Sequence, residues 1–184
     1  MKKFFDTIAG MLLLLLIPMI LIACIVKLTS EGSALFWSDR IGQNNELFRM
    51  PKFRTMKTET PQLATHLLDN PRLFYTTFGQ FLRKYSLDEF PQLFSILKGD
   101  MSFIGPRPAL FNQDNLIQLR TKKGIHKLKP GLTGWAQVNG RDEISIPEKV
   151  SFDEEYLREK SWKMDIYILW LTLVKVIKKD SISH

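Results

Sequence analysis

The sequence predicts an α+β fold: one mostly helical domain with a small β-hairpin, preceded by an apolar amino-terminal helix and closed by amphipathic helices. Three observations predict it. Two short mixed segments flank the turn-forming Gly42-Gln43-Asn44-Asn45, apolar residues recur at helical spacing over residues 164–178 behind a helix at 147–159, and residues 8–26 carry no charge at all. With 184 residues the chain suits one domain, and 24% charged with 45% hydrophobic residues excludes a disordered tail, a collagen-like rod and a wholly transmembrane bundle.

The apolar stretch is about 19 residues, or about 28 Å as a straight helix, close to the hydrocarbon thickness of a bilayer. Its flanks and interior allow three readings. Lys2 and Lys3 followed by Leu12–Ile17 resemble a secretory signal, with Leu21-Ile22-Ala23-Cys24 as a lipoprotein-like cleavage box; the apolar run, however, continues past Cys24 to Val26. An ordinary spanning helix is the second reading, weakened by Pro18 near its middle and by Lys2, Lys3, Lys27 and Arg40 flanking both ends. A helix that bends at Pro18 and returns to the same leaflet is the third. Cys24 is the only cysteine, which excludes an intrachain disulfide and a cysteine-based zinc site.

Beyond Lys27, residues 34–40 and 46–53 read as paired strands. Residues 57–72, with Pro61 and Pro71, read as an exposed, partly helical connection. Residues 78–85 form an amphipathic helix bearing Arg83 and Lys84, and residues 89–98 a second short helix closed by Gly99. Gly105-Pro106-Arg107-Pro108 must be a stiff loop, because prolines on both sides of Arg107 exclude regular helix and central strand. Residues 112–127 read as a polar helix, and Lys129-Pro130-Gly131 and Asn139-Gly140 as turns around the apolar Trp135–Val138. The last helix places Ile166, Leu169, Trp170, Leu173 and Ile177 on one stripe, with Lys175, Lys178 and Lys179 near its end. That stripe suits either a packed core face or a membrane-surface face with Trp162 and Trp170 at headgroup depth.

The net charge of +7 and pI near 9.5 imply an anionic partner: nucleic acid, anionic lipid or a phosphorylated small molecule. Ser86-Leu87-Asp88-Glu89 has the pattern of a helix capping box, with Ser86 or Asp88 as the cap. Either choice sets two adjacent carboxylates at the positive end of a helix, favouring their ionised forms; one could act as nucleophile while the other helps hold a divalent metal. Lys52, Arg54, Arg83, Arg107 and Arg141 are candidate diphosphate contacts. Arg107 is the most constrained of them, its alternative being a structural pairing with a carboxylate. No Walker loop, Rossmann fingerprint or His-x-x-x-His pair occurs, and His66, His126 and His184 read as isolated surface histidines.

Three long motifs follow one another: Ser86–Phe94 (SLDEFPQLF), Leu97–Pro108 (LKGDMSFIGPRP) and Lys129–Arg141 (KPGLTGWAQVNGR). Together they resemble the bacterial sugar transferase family, the small monotopic phosphoglycosyl transferases. The resemblance implies a re-entrant membrane helix over residues 1–28, in which Ile17-Pro18 replaces the family's frequent Ser-Pro. It also implies a catalytic domain over residues 29–184 on the cytoplasmic face of the bacterial inner membrane, with carboxy-terminal interfacial helices. Asp88 would be the nucleophile that takes a phosphosugar from a UDP-sugar with release of UMP, before undecaprenyl phosphate accepts it in a ping-pong exchange. Glu89 would join Asp88 in positioning Mg²⁺. Pro106, Arg107 and Pro108 match the family's Pro-Arg-Pro signature, and Lys52, Arg83 and Arg141 match other basic positions, all on the substrate side. The expected partners are the two substrates and membrane lipid, without nucleic acid, and a homodimer is left open. The rival readings are a UDP-releasing glycosyltransferase on a polyprenyl-linked acceptor and a membrane-anchored basic binding protein.

Overall fold

A computed structural model of the chain describes residues 2–61, 63, 68–140 and 144–178, except the side chains of residues 5, 8, 9, 11, 12, 15, 177 and 178. His66, Arg141, Lys179 and His184 lie outside this set, as do the side chains of Ile177 and Lys178. Helix α1 (Lys2–Thr29) has Pro18 inside it. Among the described residues, no helix is long and apolar enough to cross a membrane. The two ends of α1 differ in their surroundings. Leu13, Leu14, Leu16 and Ile17 are exposed, whereas past Pro18 the residues Ile22 and Val26 are buried against Phe53 and Leu82, with Met19 and Ala23 packed alongside. The second half of the apolar segment is therefore anchored to the rest of the fold by core packing.

Strands β1 (Leu35–Ile41) and β2 (Leu47–Phe53) form the expected antiparallel hairpin, in register from Leu35 opposite Phe53 to Ile41 opposite Leu47. Its turn works because Asn44 and Asn45 accept left-handed backbone angles, φ 55° and 64°, a conformation asparagine tolerates better than most residues. Pro51 is tolerated because β2 lies at the edge of its sheet. The third strand, β4 (Ala109–Leu110), pairs antiparallel with the end of β1. The connection from residue 57 to Arg72 is largely exposed where described, and its only described helical part is a 3₁₀ turn that starts at Pro71 (Pro71–Phe74).

The next helices are α2 (Gly79–Lys84) and α3 (Gln92–Lys98), the latter ended by Gly99 at φ 92° as expected. The predicted start of α3 differs. Residues 87–89 form a separate 3₁₀ turn, and Pro91 is itself the N-cap of α3. Ser86 makes no side-chain cap bond and adopts φ 54°, so neither proposed cap exists, because the proline splits the run before a single helix can form. The Ser-x-x-Glu box occurs instead at Ser145 and Glu148, opening α6 (Ile146–Glu159).

Strand β3 (Ser102–Ile104) pairs in parallel with β5 (Gly131–Thr133). The turn expected at Lys129–Gly131 thus runs directly into a strand, which is followed by the short helix α5 (Trp135–Asn139). The polar helix predicted over residues 112–127 is shorter, α4 (Asp114–Lys122). Gly124, at φ 76°, separates it from a 3₁₀ turn at Ile125–Lys127. His126 in that turn is half-buried rather than solvated, its Nδ1 enclosed. The last helix, α7 (Trp162–Lys178), buries Ile168 and turns the predicted stripe outward: Ile166, Leu169, Trp170 and Leu173 are exposed, as is Trp162. The core reading of that stripe is corrected, because Ile168, Met164 and Leu171 supply the buried face.

Candidate active site

The second and third motif segments converge through backbone contacts. Gly105 donates its amide to the Thr133 carbonyl at 2.9 Å, and Gly131 donates to the Pro106 carbonyl at 2.9 Å. A Cβ on Gly131 would lie 2.1 Å from the Gly105 nitrogen, so the approach of the two segments requires glycine there. This junction holds residues 105–108 in place as a loop between β3 and β4.

Arg107 reaches from that loop to Glu89, its Nη2 donating to Glu89 Oε1 at 3.1 Å, and Lys52 Nζ at the end of β2 donates to the same oxygen at 3.1 Å. Glu89 is therefore clamped between two cations. Arg107 thus makes the carboxylate pairing that the sequence offered as one alternative, and it also lines the cavity described below. Asp88 lies beside Glu89 on the 3₁₀ turn and is only 5% exposed. Ser86 immediately before this turn sits in the left-handed region, a strained conformation for a serine that sets where the turn begins.

The two carboxylates have opposite electrostatics. Burial alone would raise Glu89, but the charges and hydrogen bonds of Lys52 and Arg107 outweigh it and hold Glu89 well below the usual range. Burial raises Asp88 above the usual range and the Glu89 charge adds to this, against the pull of Lys52, Arg83 and Arg107. The ionisation favoured for both carboxylates by a helix end is thus opposed by burial at Asp88 and reinforced by two cations at Glu89. Burial also lowers Lys52, against the opposing charge of Glu89.

Lys52, Arg83, Asp88, Glu89, Arg107 and Pro108 line one cavity of about 500 Å³. Pro106 does not line it; its carbonyl accepts the Gly131 amide. Arg83 also donates to the Tyr75 hydroxyl at 3.2 Å and lies over that ring. Trp162 and Trp170, 69% and 62% exposed, lie away from the cavity on α7, whereas Leu169, Thr172 and Lys175 of the same helix line it. Arg141 lies outside the described residues.

Three residues at the site were not singled out by sequence. Arg40 lines the cavity and donates to the Pro108 carbonyl at 3.1 Å; alternation along β1 sets it on the same face as Ser38, which lines the cavity too. Arg120 donates Nη1 to the Arg107 carbonyl at 2.8 Å and pairs with Asp153, which is 1% exposed. Nothing in the sequence links residues so far apart. The third is Gln137, which also lines the cavity.

As a metal site the cavity offers the Asp88–Glu89 pair; among the described residues no group of three or more His, Cys, Asp or Glu is placed to hold an ion. Two adjacent carboxylates fit Mg²⁺ that takes its remaining ligands from phosphate and water, as this hard ion commonly does.

The model of the bacterial sugar transferase family matches residues 1–179 of this chain. The chain belongs to that family. This sugar transferase is 39% identical over 188 residues to the Bacillus subtilis (strain 168) protein named uncharacterized sugar transferase EpsL, covering 100% of this chain and 91% of the relative. It is 43% identical over 186 residues to the UDP-glucose:undecaprenyl-phosphate glucose-1-phosphate transferase of Escherichia coli (strain K12), covering 95% of this chain but 40% of that longer protein. Against the exopolysaccharide production protein ExoY of Rhizobium meliloti (strain 1021), identity is 35% over 196 residues, with 95% and 84% covered.

Proposed function

We propose that this sugar transferase moves a sugar 1-phosphate from a UDP-sugar to undecaprenyl phosphate, releasing UMP, through a covalent phosphosugar on Asp88. The observation that carries the reading is the unequal carboxylate pair in the cavity: Glu89 held ionised between Lys52 and Arg107, and Asp88 beside it with no such clamp. The printed activity of the Escherichia coli relative supplies the substrate class.

In the first step an ionised Asp88 oxygen attacks the β-phosphorus and the bond to the bridging oxygen breaks, with UMP leaving. In the second step a phosphate oxygen of undecaprenyl phosphate attacks the same phosphorus, and the Asp88 carboxylate leaves. Each step exchanges one P–O bond for another, so no redox partner is needed. Lys52, Arg83 and Arg107 would face the diphosphate and disperse its charge, while the clamp keeps Glu89 from competing as a proton carrier. Asp88 and Glu89 would hold Mg²⁺, which when bound would neutralise charge on the transferring phosphoryl group.

A membrane-confined acceptor requires the nucleophile near headgroup height. The apolar exposure of Leu13, Leu14 and Ile17 on α1, and of Trp162, Ile166, Trp170 and Leu173 on α7, supports a re-entrant α1 in the cytoplasmic leaflet with α7 lying on its surface.

The test is to incubate the detergent-solubilised full chain with undecaprenyl phosphate, Mg²⁺ and a panel of UDP-sugars and to measure both nucleotides. UMP release dependent on the lipid phosphate, lost on chelation and restored by Mg²⁺, is expected. UDP release instead would replace this reading with that of an ordinary glycosyltransferase.

A further inference from the structure

Gln137 lies on α5, is 8% exposed and lines the cavity. Both ends of its amide, Oε1 and Nε2, are enclosed and have no hydrogen-bond partner among the described residues. Gln92 and Trp135 also carry enclosed polar atoms without partners, but neither lines the cavity. An enclosed amide with both ends unpaired is unfavourable unless something that enters the cavity pairs with it.

Its position narrows what that is. A Cβ on Gly134 would lie 2.7 Å from Gln137 Oε1 and 2.1 Å from the Gly105 carbonyl oxygen, so the amide sits beside the segment that leads into Arg107. It is next to the phosphate-facing wall but offers different chemistry, one donor end and one acceptor end without charge. A phosphate presents acceptors only and would leave Oε1 unpaired, and an isoprenoid tail presents neither. A group that donates and accepts at once satisfies both ends. On a nucleotide sugar such groups are the sugar hydroxyls or acylamino group and the uracil imide.

We propose that the Gln137 amide binds an uncharged donor-and-acceptor group of the nucleotide sugar, and so holds the part of the donor that the arginines and Lys52 do not. This rests on the transferase reading above for the identity of the ligand. Gln137→Leu keeps the approximate shape and removes both hydrogen bonds; Gln137→Met keeps the length of the side chain and removes both without adding charge.

The experiment is calorimetric titration of the full chain in detergent with UDP-glucose, UDP-N-acetylglucosamine, UMP and inorganic diphosphate, each with Mg²⁺. For Gln137→Leu we expect the affinity for the better-bound UDP-sugar to fall about ten- to a hundredfold, with diphosphate affinity within about twofold of wild type. Unchanged UMP affinity would assign the contact to the sugar, and an equal loss for UMP would assign it to uracil. Equal loss for the UDP-sugar and diphosphate, or no loss for either, overturns the proposal. Should the leucine variant lose its far-ultraviolet circular dichroism signal, Gln137→Met is read by the same comparison. If the wild type binds UDP-sugars but releases no UMP with undecaprenyl phosphate, the transferase reading fails and the titration still decides the amide. UMP release with unchanged Gln137→Leu affinities overturns the amide alone.

Discussion

Arg120 grips the Arg107 backbone carbonyl with Nη1 at 2.8 Å while its Nε donates to Asp153 Oδ2 at 2.9 Å. Two buried groups from α4 and α6 thereby fix the loop whose side chain clamps Glu89, and the cation facing the cavity is positioned from behind. Asp153→Ala should destabilise the protein by about 3–5 kcal/mol, since it leaves the Arg120 charge buried and unpaired. The double variant Arg120→Met/Asp153→Leu should recover most of that stability in thermal unfolding, yet stay slow in UMP release because the Arg107 carbonyl has lost its donor. Full recovery of both would mean that the pair serves stability alone.

Asp88→Asn should abolish turnover and the covalent phosphosugar detectable by intact-mass spectrometry, a fall of at least about a thousandfold. The fold should survive. A group whose folded pKa is raised favours folding at acid pH and loses that contribution as pH rises through the raised value. At neutral pH the neutral asparagine should therefore leave the melting temperature unchanged or higher. A clearly lower melting temperature would show that the buried charge is compensated better than its surroundings indicate.

The rate of adduct formation should be bell-shaped in pH with both limbs drawn inward. Raised Asp88 places the acid limb above the ordinary aspartate range, because the nucleophile must be ionised. Lowered Lys52 brings the alkaline limb below the ordinary lysine range, because a neutral amine no longer clamps Glu89. Single-turnover rates across pH measure both. An acid limb at or below that of a free aspartate would contradict the burial argument.

The two Ser-x-x-Glu runs should respond differently to mutation. Ser145→Ala removes the observed capping box and should cost about 1 kcal/mol in chemical denaturation. Ser86→Gly removes no cap and relieves a left-handed serine, so stability should hold or rise. Equal losses in the two variants would return the cap to Ser86.

Membrane attachment can be read without activity. In a Cys24→Ala background, single cysteines at Lys3 and at Ser30 should both react with an impermeant reagent from the cytoplasmic side. Reaction from opposite sides would make α1 a span. Trp170→Glu and Leu173→Glu should weaken partitioning onto anionic liposomes about tenfold or more with little change in melting temperature, because both side chains are exposed. Loss of stability instead would place this face in a protein interior.

The hairpin was legible because strand period and asparagine turn chemistry are local, and so was the closure of α3 at Gly99. The stripe on α7 was legible as a stripe but not in its direction, since periodicity reports that a face is apolar and not what it meets. The start of α3 was misread because Ser-x-x-Glu describes two helix starts equally well, and only Pro91, against the course of the preceding turn, separates them.

The sequence by itself determined the motif order, the positions of Asp88, Glu89 and Arg107 and the family to which they point, because those features are contiguous runs of residue types. Tertiary structure alone decided that Lys52 and Arg107 share one oxygen of Glu89, that Asp88 is the carboxylate without that clamp, that Arg120 holds the Arg107 loop through Asp153, and that Gln137 faces the same cavity. The physical reason is distance. Charge pairing and burial depend on which segments meet in space, and glycine-permitted contacts between residues 105 and 131–134 bring these together across a separation that no local pattern encodes.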